Sequence, residues 1–74
     1  MNGQLREALP HFTETLRLKP DWGAAHGNYG LALARLGRHD EAIAAYKRAL
    51  ELDDNLPEVR SNLATESRDH HGGQ

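Results

Sequence analysis

Few residues in this chain combine a reactive type with a spacing that would allow chemistry. Asp69, His70 and His71 are consecutive, and their carboxylate and imidazole groups are of the kind that binds divalent transition metals. Adjacent histidines in a polar, glycine-rich segment are more often adventitious, so we predict no metal site there. His39 and Asp40 fall in a predicted turn, where helix capping accounts for them.

No nucleophile, base and orienting group can be assembled into a catalytic set. The five serine and threonine residues are spread along the 74-residue chain, and none lies in a glycine-flanked elbow. The glycines form neither a phosphate-binding loop nor a dinucleotide-binding pattern. The sequence therefore predicts a protein that is not an enzyme and that uses no cofactor.

Asn28 and Asn62 form the most informative polar pair, and 34 positions separate them. A carboxamide both donates and accepts hydrogen bonds, so it can bind a peptide backbone with little dependence on the peptide's sequence. Each side chain could instead bond a neighbouring helix or water. The residues alone leave these alternatives open.

The same separation of 34 positions relates many other residues of the chain. The matching pairs are Gly3 and Gly37, Glu7 and Glu41, Ala8 and Ala42, Phe12 and Tyr46, Leu16 and Leu50, and Leu18 and Leu52. A fixed period of this length is typical of a repeat protein, in which each unit buries its apolar face against the next. Such proteins usually bind other molecules rather than transform them.

Apolar residues at helical spacing predict an all-α protein of about four helices. The predicted helices lie at about residues 4–18, 22–36, 41–52 and 57–68. If the first helix begins around Arg6 or Glu7, Pro10 lies near its start and costs little, whereas with an earlier start Pro10 should bend the helix.

The predicted boundaries of the middle helices follow from single residues. Gly37 can adopt the left-handed conformation that ends a helix, and Asp40 is a suitable N-cap for the third helix. Glycine lowers helix propensity by about 1 kcal/mol relative to alanine. The three glycines of the second helix, Gly23, Gly27 and Gly30, therefore indicate a close approach to a neighbouring helix.

Several of these residues together resemble the tetratricopeptide repeat. The resemblance is carried by Ala25, Asn28, Tyr29, Gly30, Leu33, Gly37, Glu41, Ala42, Tyr46, Ala49 and Leu50. It implies a right-handed solenoid of antiparallel helix hairpins. Residues 3–70 would be one domain, made of the turn and helix B of a preceding repeat (3–22), a full repeat (23–56) and helix A of a following repeat (57–70). Residues 71–74 would be a disordered tail.

The resemblance also implies a concave groove lined by the A helices, in which an extended peptide or partner protein would bind. The predicted groove residues are Asn28, Leu31, Arg35 and Asn62. The two asparagines are similar to the asparagine ladder in the repeats of protein O-linked N-acetylglucosamine transferases. Some family members bind the C-terminal carboxylate of chaperone peptides through cations, but Ala24 and Glu58 stand at those positions here, so we do not expect that function.

The repeats are cut out of phase, which predicts an exposed apolar face at each end. The alternative function is therefore a structural unit that self-associates head to tail into a homo-oligomer. The residues predicted for this contact are Leu5, Leu9, Phe12, Val59 and Leu63. The chain could instead be a piece of a longer array that behaves as a monomer.

Composition excludes some other classes of function. The net charge is -2 and the cations are scattered, so we expect no nucleic-acid partner. No apolar stretch approaches the roughly 20 residues of a membrane span, and the N-terminus lacks the apolar region of a signal peptide. We therefore expect no membrane partner and a cytoplasmic location.

Overall fold

Four α-helices make up the computed structural model, which describes the backbone of residues 2–72 and the side chains of residues 3–68. The helices are α1 (Asn2–Leu18), α2 (Gly23–Arg35), α3 (His39–Leu52) and α4 (Pro57–Gly72). Consecutive helices pack against each other, and the described residues contain no strand. This arrangement confirms the predicted all-α fold built from helix hairpins.

The first helix begins before Arg6, so Pro10 lies in its interior. A proline there cannot donate the backbone hydrogen bond that the Arg6 carbonyl would accept. Both residues are exposed, and water can therefore satisfy that carbonyl. The hydroxyl of Thr13 donates to the Pro10 carbonyl at 3.0 Å. Of the two predicted alternatives, the structure therefore has the earlier helix start, with Pro10 in the interior of α1.

The end of α2 confirms the predicted role of Gly37, whose φ is +82°. The Arg38 N–H donates to the Leu33 carbonyl at 2.9 Å, and the Gly37 N–H donates to the Ala34 carbonyl at 3.0 Å. These two bonds form a Schellman motif, which satisfies the last carbonyls of the helix. As a consequence, the turn between α2 and α3 is only three residues long.

The start of α3 differs from the prediction, because Arg38 rather than Asp40 is the N-cap residue. The Schellman motif ends at Arg38, so helical geometry resumes at His39 and Asp40 falls inside the first turn. Asp40 and Glu41 are well placed there, since carboxylates stabilise the positive end of a helix. The guanidinium of Arg38 also donates two hydrogen bonds to Glu41, and this pairing lowers the pKa of the Glu41 carboxyl.

The end of α4 also differs from the prediction. Residues 71 and 72 belong to the helix rather than to a disordered tail, since each added residue of a nucleated helix gains one backbone hydrogen bond. Residues 73 and 74 lie outside the described part of the chain. The side chains of Asp69, His70 and His71 also lie outside it, so the expectation that they bind no metal remains a prediction.

Small residues dominate the core between α2, α3 and α4. The buried cluster consists of Leu33, Ala42, Ala45, Tyr46, Ala49 and Val59. Tyr46 and Leu33 are its largest members, and each is 1% exposed. Small side chains let the helices approach, and the Tyr46 ring then supplies much of the buried apolar surface.

The glycines of α2 confirm the predicted close approach. A Cβ atom at Gly30 would lie 2.7 Å from two ring carbons of Tyr46, and one at Gly27 would lie 2.6 Å from a methyl group of Val59. At Gly23 it would lie 3.0 Å from the backbone of α3. Real Cβ contacts are longer, so these glycines set the distance from α2 to its two neighbours.

Candidate peptide-binding groove

A groove runs between α2 and α4. Positions 24, 28, 31 and 35 of α2 follow one another at helical spacing, so their side chains share the face that borders this groove. One pocket of the groove has a volume of about 210 Å³, and Leu31, Arg35 and Asn62 line it. Three of the four predicted groove residues therefore lie together.

The fourth predicted residue, Asn28, lines the adjoining pocket. This pocket has a volume of about 330 Å³, and its other lining residues are Ala24, Leu56, Pro57, Glu58 and Val59. The two asparagines therefore occupy neighbouring pockets of one groove rather than a single pocket. A ligand would have to extend along the groove to reach both.

Three predicted groove residues have polar side chains without a hydrogen-bond or ion-pair partner among residues 3–68. Neither Asn28 nor Asn62 forms a side-chain hydrogen bond there, and Arg35 forms neither a hydrogen bond nor an ion pair. Asn28 is exposed and Asn62 is half-buried. Within this part of the chain, the alternative in which each carboxamide bonds a neighbouring helix is not realised. Their donors and acceptors face solvent.

Tyr46 is a groove residue that the sequence did not predict. It belongs to α3, yet it lines the same pocket as Asn62 because Gly30 leaves room for its ring between the helices. Burial raises the pKa of the Tyr46 phenol, and the nearby Glu66 carboxylate raises it further, while Arg35 acts in the opposite direction. The signal in the sequence was the pairing of a glycine in one helix with an aromatic residue in the next.

Glu66 forms another wall of this pocket. Its carboxylate lies 2.5 Å from Nδ1 of His39, and its side chain is 12% exposed. This contact joins α4 to the start of α3. It therefore holds the two helices together at the end of the groove that Arg35 borders.

A second apolar depression lies between α1 and α2. Leu5, Ala8 and Phe12 of α1 line it, and its volume is about 220 Å³. Ala8 and Phe12 correspond, 34 residues later, to Ala42 and Tyr46 of α3, which are 0% and 1% exposed beneath α2. The corresponding face of α1 is only half-buried.

Three residues predicted for self-association contact the core between α2, α3 and α4. Val59 is 8% exposed and packs in the core, because Gly27 leaves space for its methyl group. Leu9 and Leu63 are partly buried and pack against the same core. The expectation that Val59 forms an exposed terminal face was therefore wrong.

Two negative findings apply to the described part of the chain. Its histidine, aspartate and glutamate side chains nowhere gather in a group of three or more that could hold a metal ion. None of its helices has the length and apolar character needed to cross a bilayer.

Comparison with known proteins places this architecture among characterised repeats. Residues 2–57 match the family model described as tetratricopeptide repeat. Over 58 residues the chain is 36% identical to the Hsp70-Hsp90 organizing protein of Triticum aestivum, covering 78% of this chain and 10% of that protein. Over 56 residues it is 39% identical to the peroxisomal targeting signal receptor of Saccharomyces cerevisiae, covering 76% and 9%.

A third relative is closer in length. The chain is 33% identical over 60 residues to an uncharacterized protein of Methanocaldococcus jannaschii, covering 81% of this chain and 70% of that protein. By contrast, the chain spans about a tenth of the length of the wheat and yeast relatives.

Proposed function

Because the chain belongs to the tetratricopeptide repeat family, we propose that it binds an extended peptide of a partner protein in the groove between α2 and α4. The observation that carries this proposal is the pair of carboxamides at Asn28 and Asn62, which line adjoining pockets and have no partner within residues 3–68. Two relatives are named as an organizing protein and a targeting-signal receptor, which supports a role in protein–protein interaction.

The groove would recognise a peptide mainly through its backbone. Each carboxamide offers donors and an acceptor to a peptide unit, and the guanidinium of Arg35 offers further donors. Leu31 provides apolar contact between them. The two asparagines would then act as two rungs of a ladder, similar to that in the repeats of O-linked N-acetylglucosamine transferases.

Removing both carboxamides tests this function. We expect Asn28→Ala with Asn62→Ala to weaken peptide binding by about 1–3 kcal/mol, because each lost hydrogen bond contributes about 0.5–1.5 kcal/mol. The ligand would be a peptide selected from a displayed random library on the unmodified chain, and affinity would be measured by fluorescence anisotropy.

Gln4→Ala is the matched control, since it removes an exposed carboxamide of α1 that borders none of these pockets. Circular dichroism should show unchanged helicity for all variants. Equal affinity of the double variant and the control would contradict the proposal.

Self-association is a second candidate function, and the uncovered face of α1 supports it. Within the chain, Gly30 of α2 packs against Tyr46 of α3. Ala64 of α4 is the repeat equivalent of Gly30, 34 positions later, and Phe12 of α1 is the repeat equivalent of Tyr46, 34 positions earlier. Ala64 is small and exposed. The α4 helix of one copy can therefore pack on the Phe12 face of another as α2 packs on α3, which would give a head-to-tail contact.

A charge at Ala64 tests this candidate. We expect the unmodified chain to exceed its monomer mass of 8.2 kDa with rising concentration, and Ala64→Glu to remain a monomer, because the new carboxylate would be buried in the contact. Light scattering after size-exclusion chromatography measures both. Ala44→Glu places the same charge on the exposed side of α3 and should not change the assembly. A constant mass of 8.2 kDa for the unmodified chain would eliminate self-association.

A further inference from the structure

The pocket bordered by Asn28 combines an apolar wall with one carboxylate. Leu56, Pro57 and Val59 supply apolar surface, and the polar lining groups are the Asn28 carboxamide and the Glu58 carboxylate. The opening of about 330 Å³ is the larger of the two pockets between α2 and α4. It therefore favours an amphipathic occupant, with an apolar body and a polar end.

The charge of Glu58 is not compensated within residues 3–68. Glu58 is exposed and forms no ion pair or hydrogen bond there. Arg60, the next cation along α4, donates instead to the backbone carbonyl of Asp54 in the preceding turn. The pocket consequently presents a net negative charge to a ligand.

Glu58 also has a role that needs no ligand. It lies in the first turn of α4, where a carboxylate stabilises the positive end of the helix. That role affects the stability of the helix but does not depend on which peptide is bound. Peptide selectivity and unfolding measurements therefore separate the two roles.

We infer that this pocket accepts a lysine or arginine side chain of the bound peptide, an inference that rests on the proposed peptide-binding function. The aliphatic stem would cover Val59 and Leu56 while the cationic head stays near water, as long basic side chains commonly do. The Glu58 carboxylate and the Asn28 carbonyl oxygen would accept hydrogen bonds from the head.

Other occupants fit the pocket less well. An acidic side chain would be repelled by Glu58, so charge provides selection against it. A purely apolar side chain would cover the carboxylate without offering it a donor, which is unfavourable. A basic residue satisfies both the apolar wall and the charge.

Capped octapeptide pools, which differ only in one central residue, test this inference. The central residue is lysine, arginine, glutamine or glutamate, and binding is followed by NMR titration of the labelled chain at low salt. We expect the lysine and arginine pools to bind about fivefold more tightly than the glutamine pool, as for an accessible ion pair. The largest chemical-shift changes on binding these two pools should occur at Asn28, Glu58 and Val59 of the chain. The glutamate pool should bind most weakly.

Glu58→Gln should abolish the preference for basic pools over the glutamine pool. Glu51→Gln removes an equivalent exposed charge from α3, where Glu51 pairs with Arg48, and should keep the preference. Unfolding by urea measures any separate effect of Glu58 on the helix.

The outcomes separate this inference from the function on which it rests. If the pools change the chemical shifts of Leu31 and Asn62 but the basic pools bind no more tightly than the glutamine pool, the inference is overturned and the peptide-binding function is left intact. A basic preference that survives Glu58→Gln would overturn it as well. Failure of every pool to bind, or shifts that depend only on the concentration of the chain, would overturn both.

Discussion

Replacing Tyr46 with alanine is expected to lower the free energy of unfolding by about 3–5 kcal/mol, the usual cost of removing a buried aromatic side chain. Tyr46 is 1% exposed and packs between α2 and α3 against Gly30. Alanine would leave a cavity in a core composed mainly of small residues, which have little capacity to fill it. Urea denaturation followed by circular dichroism measures the loss, and most of the stability of so short a chain would disappear.

Tyr46→Phe is the control, because it keeps the ring and removes only the hydroxyl. The pKa of the phenol is raised above its ordinary value of 10.0 in the folded chain. The folded state therefore binds this proton more tightly than the unfolded state, and the associated stability declines as pH rises above 10.0. We expect Tyr46→Phe to remove that part of the alkaline loss. A Tyr46→Ala variant as stable as Tyr46→Phe would show that the ring does not hold α2 and α3 together.

Replacing Gly30 with leucine is expected to cost about 3 kcal/mol or more, at the upper end of overpacking effects. The first added atom would already lie 2.7 Å from the Tyr46 ring and 3.3 Å from the Ala42 carbonyl oxygen. The ring is enclosed by the core, so α2 would have to move away from α3. This loss should occur even though leucine has a higher helix propensity than glycine, by at most about 0.8–1 kcal/mol.

Gly3→Leu is the matched control, because nothing lies within 4 Å of a Cβ at Gly3. It makes the same substitution in the first turn of α1 without a clash and should leave the free energy of unfolding unchanged or slightly higher. Gly30→Ala should fall between the parent and Gly30→Leu in unfolding midpoint. If Gly30→Leu proved as stable as Gly3→Leu, the close approach of α2 to α3 would not contribute to the fold.

Much of the fold could be predicted from local patterns. The period of 34 positions and the helical spacing of apolar residues predicted four helices, and Gly37 predicted the end of α2. The helix starts were harder to predict. The first turn of α3 depends on the hydrogen bonds of the preceding Schellman motif, and Pro10 was compatible with two different starts of α1.

The groove could be predicted only in part. Leu31, Arg35 and Asn62 do line one pocket, because helical spacing determines which residues share a face. The presence of Tyr46 in that pocket could not be predicted in the same way. A side chain on α3 reaches the groove only if α2 leaves a gap, and the size of the gap depends on both helices together.

The number of helices, their repeat relationship and the faces on which polar and apolar residues lie follow from hydrogen bonding and spacing along one chain, so they can be predicted from the sequence. Which apolar residues are covered depends on how the helices pack. Val59 is buried because Gly27 admits its methyl group, whereas Phe12 borders an open depression. Burial depends on distances between helices, and pairs of residues far apart in the sequence set those distances.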